Sequence, residues 1–147
     1  NTNYNGQNIM TNVYIGFDFG MRRIGVAVGQ DVTRTAKPID TINAKMGVPN
    51  WEEVLKLIKQ WSPKALVVGI PYNMDGTEQS VTISARDFAQ ALGEKTGLMV
   101  HEVDERLSTV AAREAVFEQG GYKGLKGAAI DSVAAQVILE SWMSANV

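Results

Sequence analysis

The first strand of this chain is apolar except for one carboxylate near its end. Residues 13–19 read VYIGFDF, and a second apolar run at 24–29 follows after only four residues. Two such runs so close together predict a buried antiparallel strand pair. A charge in a buried strand is costly unless it is compensated, and a bound cation is a common reason to keep a carboxylate there. Asp18 is therefore the first candidate functional residue.

Composition restricts what could compensate that charge. The chain has 147 residues, enough for one domain with a full core, and it contains no cysteine and a single histidine, His101. Thiolate and histidine-rich metal sites are thereby excluded, so a metal would be held by oxygen ligands, which suits Mg²⁺ or Mn²⁺. The net charge of -2 argues against a protein that binds nucleic acid by bulk attraction. No segment is apolar enough to predict a membrane span.

The spacing of apolar residues predicts an α/β fold. A third strand at 36–42 would extend the antiparallel pair, and the pattern then alternates between helix and strand. Helices are predicted after Asn50, across 81–92, from Ser108 or Thr109 to about Gln119, and over 127–144, with parallel strands at 65–70 and 98–103. This order predicts a mixed five-stranded sheet, antiparallel in its first three strands and parallel afterwards, with helices on both faces. Residues 1–12 are predicted to be a disordered tail or an added remnant, and residues 13–147 a single domain.

Other acidic residues are predicted to converge on Asp18. Asp104 and Glu105 follow the strand at 98–103, and Asp131 is placed in the first turn of the last helix, beside its apolar positions. Sites in α/β sheets form at the carboxyl ends of parallel strands, where these groups would meet. Converging carboxylates repel one another unless a divalent cation neutralises them. Such metal sites activate water and stabilise the leaving oxygen in phosphodiester hydrolysis.

Each of these residues also has a simpler interpretation. Asp18 could form a turn, Asp131 could favour the helix N-terminus, and Glu105 could pair with Arg106. Asp75, within Met74-Asp75-Gly76, is predicted to be a turn residue. His101 is predicted to be a packed or surface histidine rather than a catalyst.

Taken together, the motifs resemble the YqgF/RuvX family. The resemblance is carried by Gly16-Phe17-Asp18-Phe19-Gly20 with Arg23-Ile24-Gly25-Val26-Ala27, by Val68-Gly69-Ile70-Pro71 with Asn73-Met74-Asp75-Gly76-Thr77, by Asp104-Glu105-Arg106-Leu107-Ser108-Thr109, and by Lys126 and Asp131. It extends from about residue 13 to 142. These proteins are RuvC-like, are described as Holliday junction resolvases, and in bacteria as nucleases that mature the 5′ end of pre-16S rRNA.

The resemblance implies a ribonuclease-H-like, three-layer α/β/α fold. It also implies that Asp18, Glu105 and Asp131 form the metal-binding catalytic set, with Asp104 as an alternative ligand to Glu105. RuvC resolvases differ in having an acid at the end of the strand that corresponds to 65–70 and a second aspartate on the last helix. These departures count against junction resolution and leave nuclease chemistry intact.

Basic and polar residues near the predicted site are candidates for contacts with backbone phosphates. They are Arg22, Arg23, Asn73, Thr77, Arg106, Lys123 and Lys126. Solvated charges or local ion pairs are the alternative for the basic ones. Tyr72 and Tyr122 are expected to pack rather than to stack on bases.

The leading hypothesis is a metal-dependent endonuclease, cytoplasmic, monomeric or homodimeric, without membrane association. Its substrate would be the 5′ end of pre-16S rRNA, in which case ribosomal particles are candidate partners, or a branched DNA junction in the resolvase alternative. A non-catalytic RNA- or ribosome-binding factor is a further alternative. The turn Asp18-Phe19-Gly20 also resembles a phosphate motif of actin-like ATPases, but 147 residues leave no room for their second domain.

Overall fold

The computed structural model describes residues 11–108 and 127–147. The strands are β1 (Val13–Asp18), β2 (Arg23–Gln30), β3 (Thr35–Lys45), β4 (Val48–Pro49), β5 (Ala65–Ile70) and β6 (Met99–Asp104). The helices are α1 (Trp51–Trp61), α2 (Ser80–Thr96) and α3 (Gly127–Asn146), and a 3₁₀ helix, Glu105–Ser108, follows β6. The predicted helix ending near Gln119 lies outside the described residues. Within the described ranges, no helix is both long and apolar enough to cross a membrane.

The described strands form one mixed sheet with the order β4-β3-β2-β1-β5-β6. Strand β1 pairs antiparallel with β2 and parallel with β5, and β5 pairs parallel with β6. The predicted change from antiparallel to parallel strands is confirmed. The predicted number of strands was one too low, because β4 consists of two residues that pair with Ala44 and Lys45 at the end of β3. A strand of two residues shows no periodicity in a sequence.

Alternation along β1 divides its side chains between two cores. Ile15 and Phe17 are fully buried on the face covered by α1 and α2, where the Phe17 ring meets Phe88 edge-on at 5.4 Å between centroids. Tyr14 lies on the opposite face and contacts Trp142 of α3 at 5.3 Å. Since side chains alternate with a period of two, Asp18 shares the α3 face with Tyr14.

Helix α3 lies very close to the sheet because glycines face it. A Cβ atom on Gly16 would be 2.8 Å from the Leu139 Cβ, and one on Gly25 would be 2.0 Å from the backbone oxygen of Asp131. Any side chain at Gly25 would push the start of the helix away from β2. The contacts of Tyr14 with Trp142 and of Gly25 with Asp131 show that α3 runs along β1 and β2 so that its first turns lie near Asp18.

Two polar side chains of α3 fix its position relative to β3. The Glu140 carboxylate accepts a hydrogen bond from the Ala36 amide at 2.8 Å, and the Gln136 side-chain amide donates to the Ala36 carbonyl at 2.9 Å. These bonds satisfy the backbone amide and carbonyl of Ala36. The two-residue β4 pairs only with Ala44 and Lys45, so it does not extend along β3 as far as Ala36. These bonds help to set where along the sheet Asp131 lies.

Candidate active site

Asp18 and Glu105 lie in contact at the carboxyl ends of β1 and β6. Burial raises the pKa of Asp18 well above its ordinary value, and a hydrogen bond with Glu105 and the charges of Glu105 and Asp131 raise this pKa further. An ionised carboxylate can only accept hydrogen bonds, so a hydrogen bond between two carboxyl groups requires that they share a proton. Either this shared proton or a bound cation would offset the mutual repulsion of the two carboxylates.

Asp131 reaches this region from α3 and is held there by Arg23. The Arg23 Nε donates to the Asp131 Oδ2 at 2.8 Å, and the two side chains are 47% and 26% exposed. Asp131 is the fifth residue of α3, so the prediction that it lies in the first turn was wrong by one position. Its proximity to Asp18 follows from Gly25, which pairs with Asp18 across the hairpin and contacts the Asp131 backbone.

The donor chemistry of these three residues fits a hard divalent cation. All three are carboxylates, and burial, together with the neighbouring Glu105 and Asp131, raises the pKa of Asp18. Among the residues that the structure describes, however, no three side chains of the ligand type are gathered around one point where a metal could be held. Asp18 and Glu105 are together, while an oxygen of Asp131 is occupied by Arg23.

Asp104 is in a different environment from its neighbour Glu105. Arg106 donates to the Asp104 carboxylate from its backbone amide at 3.0 Å and from Nη2 at 2.6 Å, and these bonds hold the pKa of Asp104 below its ordinary value. The guanidinium of Arg106, which the sequence offered as an alternative partner of Glu105, is bonded to Asp104. The geometry brings Glu105, rather than Asp104, to Asp18.

The loop between β5 and α2 is closed by its own polar side chains. The Asn73 Nδ2 donates to the Thr77 Oγ1 at 2.9 Å, and the Thr77 hydroxyl and amide both donate to Asp75. Asp75 is thus the turn residue that the sequence predicts, and the hydrogen bonds from Thr77 hold its pKa below the ordinary value. Arg106 reaches this loop through a hydrogen bond from Nη1 to the Met74 carbonyl at 3.4 Å. The loop therefore lies beside the segment that carries Glu105.

The remaining candidates are placed as follows. Arg22 is exposed next to Arg23, whereas Lys123, Lys126 and Tyr122 lie outside the described residues. The Tyr72 ring lies against Arg86 and Arg106, and its hydroxyl accepts a hydrogen bond from Arg86 at 2.6 Å, so the prediction of packing is confirmed. His101 packs against Trp142 at 4.7 Å between centroids, which agrees with its predicted structural role.

Gly25 is the site residue whose role the sequence did not reveal. It lies in the middle of an apolar strand, where glycine usually marks a close approach of another backbone. This signal is present in the sequence, but it does not say which backbone approaches. In the structure, the backbone of α3 at Asp131 is the one that approaches Gly25.

The mixed sheet with helices on its two faces is the architecture of a ribonuclease-H-like fold. The family described as "RuvX: Holliday junction resolvase" matches residues 12–145, and the chain belongs to this family. It is therefore a member of a family of nucleases that act on phosphodiester bonds.

Curated relatives agree with this assignment over most of the chain. A protein of Legionella pneumophila strain Paris, named "Putative pre-16S rRNA nuclease", is 56% identical over 131 residues, which cover 89% of this chain and 94% of the relative. A protein of the same name from Aeromonas salmonicida is 53% identical, covering 88% of this chain and 92% of the relative.

Solved structures support the fold. The RuvC of T. thermophilus in complex with a Holliday junction substrate has a TM-score of 0.60 at 20% identity, covering 91% of this chain and 94% of that one. The fowlpox virus resolvase, in complex with junction DNA, has a TM-score of 0.55 at 14% identity, covering 90% and 97%. The predicted ribonuclease-H-like fold is confirmed.

Proposed function

We propose that this protein is a divalent-metal-dependent endonuclease that trims the 5′ end of pre-16S rRNA during ribosome biogenesis in the cytoplasm. The observation that carries the proposal is the contact of the buried Asp18 with Glu105, with Asp131 close enough for its charge to raise the pKa of Asp18. Carboxylates are seldom crowded in this way for stability, because each one opposes the ionisation of the others.

Asp18, Glu105 and Asp131 would hold Mg²⁺ or Mn²⁺. When bound, the metal supplies a water of lowered pKa and stabilises the charge that develops on the leaving oxygen. Each of the three carboxylates is positioned by a different part of the fold. Asp18 is fixed by the rigid β1–β5 pairing, Glu105 is held at the start of the 3₁₀ helix, and Asp131 is brought in by the close packing of α3.

Basic groups around these carboxylates would place the phosphate backbone. Arg22 ends the β1–β2 connection and Arg23 begins β2, and Lys123 and Lys126 precede α3 in the sequence. Arg106 is less available than the sequence suggests, because Asp104 and the Met74 carbonyl already accept its hydrogen bonds. Its contribution would be to hold the loop with Asn73 and Thr77 beside the site.

Two facts favour an RNA precursor over a DNA junction as the substrate. The curated relatives at more than half identity are named for pre-16S rRNA, whereas the junction-bound structures are 20% identical or less. In addition, β5 carries no acid, since all of Ala65–Ile70 is apolar or glycine. The resolvase function stands as the second candidate because the family model carries that description.

The decisive experiment compares cleavage of precursor 16S rRNA and of a four-way DNA junction by the same protein with Mg²⁺. We expect cleavage near the 5′ end of the RNA and little or none of the junction. Asp18→Asn should reduce cleavage by about a thousandfold or more, because it removes a charge that the metal requires.

Asp87→Asn provides the matched control, since Asp87 is an exposed aspartate on α2 outside the site. It should leave cleavage unchanged. Full activity in the Asp18→Asn variant would exclude the assignment of Asp18. Tight, metal-independent RNA binding without cleavage would instead favour a binding factor, and cleavage of the junction alone would favour the resolvase.

A further inference from the structure

Arg23 forms an ion pair with one of the three candidate carboxylates, Asp131. It starts β2, while its partner Asp131 is 108 residues further along the chain on α3, and the Nε to Oδ2 distance is 2.8 Å. The Arg23 side chain is 47% exposed, so it has room to turn away into solvent. Exposed ion pairs of this kind are weak, which means that a competing cation can displace the guanidinium at low cost.

The position of Asp131 sets this pair apart from an ordinary surface salt bridge. The negative charge of Asp131 raises the pKa of Asp18, so the two carboxylates are electrostatically linked even though Asp131 is bonded to Arg23. In the described part of the chain, no three ligand-type side chains are gathered for a metal. Asp131 is the candidate for a third carboxylate beside the Asp18–Glu105 pair, and its bond to Arg23 would have to be released first.

We propose that Arg23 is the resident counter-cation of this site, which pairs with Asp131 in the metal-free protein and competes with the metal for it. The proposal rests on the proposed function, because it takes the carboxylates to be the metal ligands. A cation that binds Asp131 more strongly than the guanidinium does would displace Arg23 from it. Arg23 thereby lowers the affinity for metal, and once displaced its guanidinium is available for a phosphate of the substrate.

The test measures binding of Mn²⁺ to metal-free protein, by calorimetry and by the loss of the free Mn²⁺ spin-resonance signal. Neither readout depends on activity. Arg23→Gln should tighten binding by about two- to fivefold, which corresponds to the strength of an exposed ion pair. Arg22→Gln removes the same charge one residue away, from an exposed side chain, and should change the affinity by clearly less.

A double-mutant cycle tests whether the effect passes through Asp131. Asp131→Asn should weaken Mn²⁺ binding. Adding Arg23→Gln to that variant should not tighten binding as it does in the wild-type background. A gain that persists in the Asp131→Asn background would overturn the proposal, as would unchanged or weaker binding by Arg23→Gln alone. Thermal unfolding of each metal-free variant verifies that it is folded.

Asp18→Asn separates this proposal from the function on which it rests. If Asp18→Asn abolishes Mn²⁺ binding and Arg23→Gln does not tighten it, the metal site stands and the role of Arg23 is wrong. If Mn²⁺ binds equally well to wild type and Asp18→Asn, or binds to no variant, both the metal site and the role of Arg23 are wrong. Binding by Arg23→Gln in the absence of measurable wild-type binding would support the proposal.

Discussion

The two strand ends on either side of β5 carry aspartates with opposite surroundings. Asp18 ends β1 beneath α3, where burial and two nearby carboxylates raise its pKa. Asp104 ends β6 in a more open position, where Arg106 lowers its pKa through several hydrogen bonds. Both are aspartates at the carboxyl end of a parallel strand. The ionised form is destabilised at the end of β1 and stabilised at the end of β6.

The difference distinguishes a carboxylate that stabilises local structure, Asp104, from one suited to bind a metal, Asp18. Asp104 already has a cation, so it gains little from a metal, and its ion pair orders the segment that carries Glu105. Within the described ranges Asp18 forms no ion pair, and the Arg23 guanidinium is bonded to Asp131 instead. A carboxylate that stays uncompensated in the folded protein is the one suited to bind an ion.

The largest loss of stability is expected when a side chain is placed between β2 and α3. Gly25→Ala would place a Cβ 2.0 Å from the backbone oxygen of Asp131, a contact that only movement of α3 can relieve. We expect a loss of about 3 kcal/mol in the free energy of unfolding, measured by urea denaturation. Cleavage activity should fall as well, because Asp131 moves away from Asp18.

The matched control lies on the β6 side of the molecule. A Cβ on Gly93 in α2 would be 3.7 Å from the Val100 Cγ2, an ordinary contact. Gly93→Ala should therefore stabilise the protein by about 0.5–1 kcal/mol through helix propensity. Equal effects of the two substitutions would mean that α3 is not held as closely as described.

The next effect concerns the free energy of unfolding of metal-free protein in the presence of a chelator. A carboxyl group with a raised pKa contributes stability below its unfolded value of 3.8, and this contribution is lost as the pH rises through the folded pKa. Asp18→Asn removes the ionisation while keeping a hydrogen-bond donor toward Glu105. The variant should therefore be more stable than wild type at pH 7, by about 1–3 kcal/mol.

This gain should shrink as the pH is lowered toward 4, because the wild-type carboxyl group then becomes protonated. Chemical denaturation of both proteins across this range measures the effect. A variant that is less stable than wild type at pH 7 would show that Asp18 is compensated within the protein and would weaken its assignment as a metal ligand. Asp87→Asn again serves as the control and should show no such pH-dependent gain.

Much of this arrangement could be predicted from the sequence, since it depends on local patterns. Strand Ala65–Ile70 was predicted with its bounds, because it is a buried apolar run enclosed by Pro63 and Pro71. The start of α1 after Asn50 was predicted as well, and the Asn50 side chain accepts a hydrogen bond from the Glu53 amide at 3.4 Å. Such features are determined by residues a few positions apart.

The pairings at the site could not be predicted, because they depend on residues far apart in the chain. Arg23 was proposed as a phosphate contact, and nothing near it in the sequence indicates a partner on α3. Asp104 and Glu105 are adjacent, so their spacing did not indicate which of them lies beside Asp18, and only the family resemblance favoured Glu105. The change from strand to 3₁₀ helix at Glu105 separates the directions of the two side chains, and it appears only in three dimensions.

The smallest change in the free energy of unfolding is expected for Asp104→Asn, and its sign is opposite to that of Asp18→Asn. Its pKa is lowered by Arg106, so the stability it contributes is present above 3.8 and is lost as the pH falls through the lower, folded value. Asp104→Asn should cost about 0.5–1 kcal/mol at pH 7, as for a partly exposed ion pair, and the deficit should narrow in acid. Denaturation on the same pH series as Asp18→Asn measures it. Shifts of the same sign for both variants would show that the two strand ends share one electrostatic environment, whereas opposite signs would support Asp18 as the carboxylate left free for a cation.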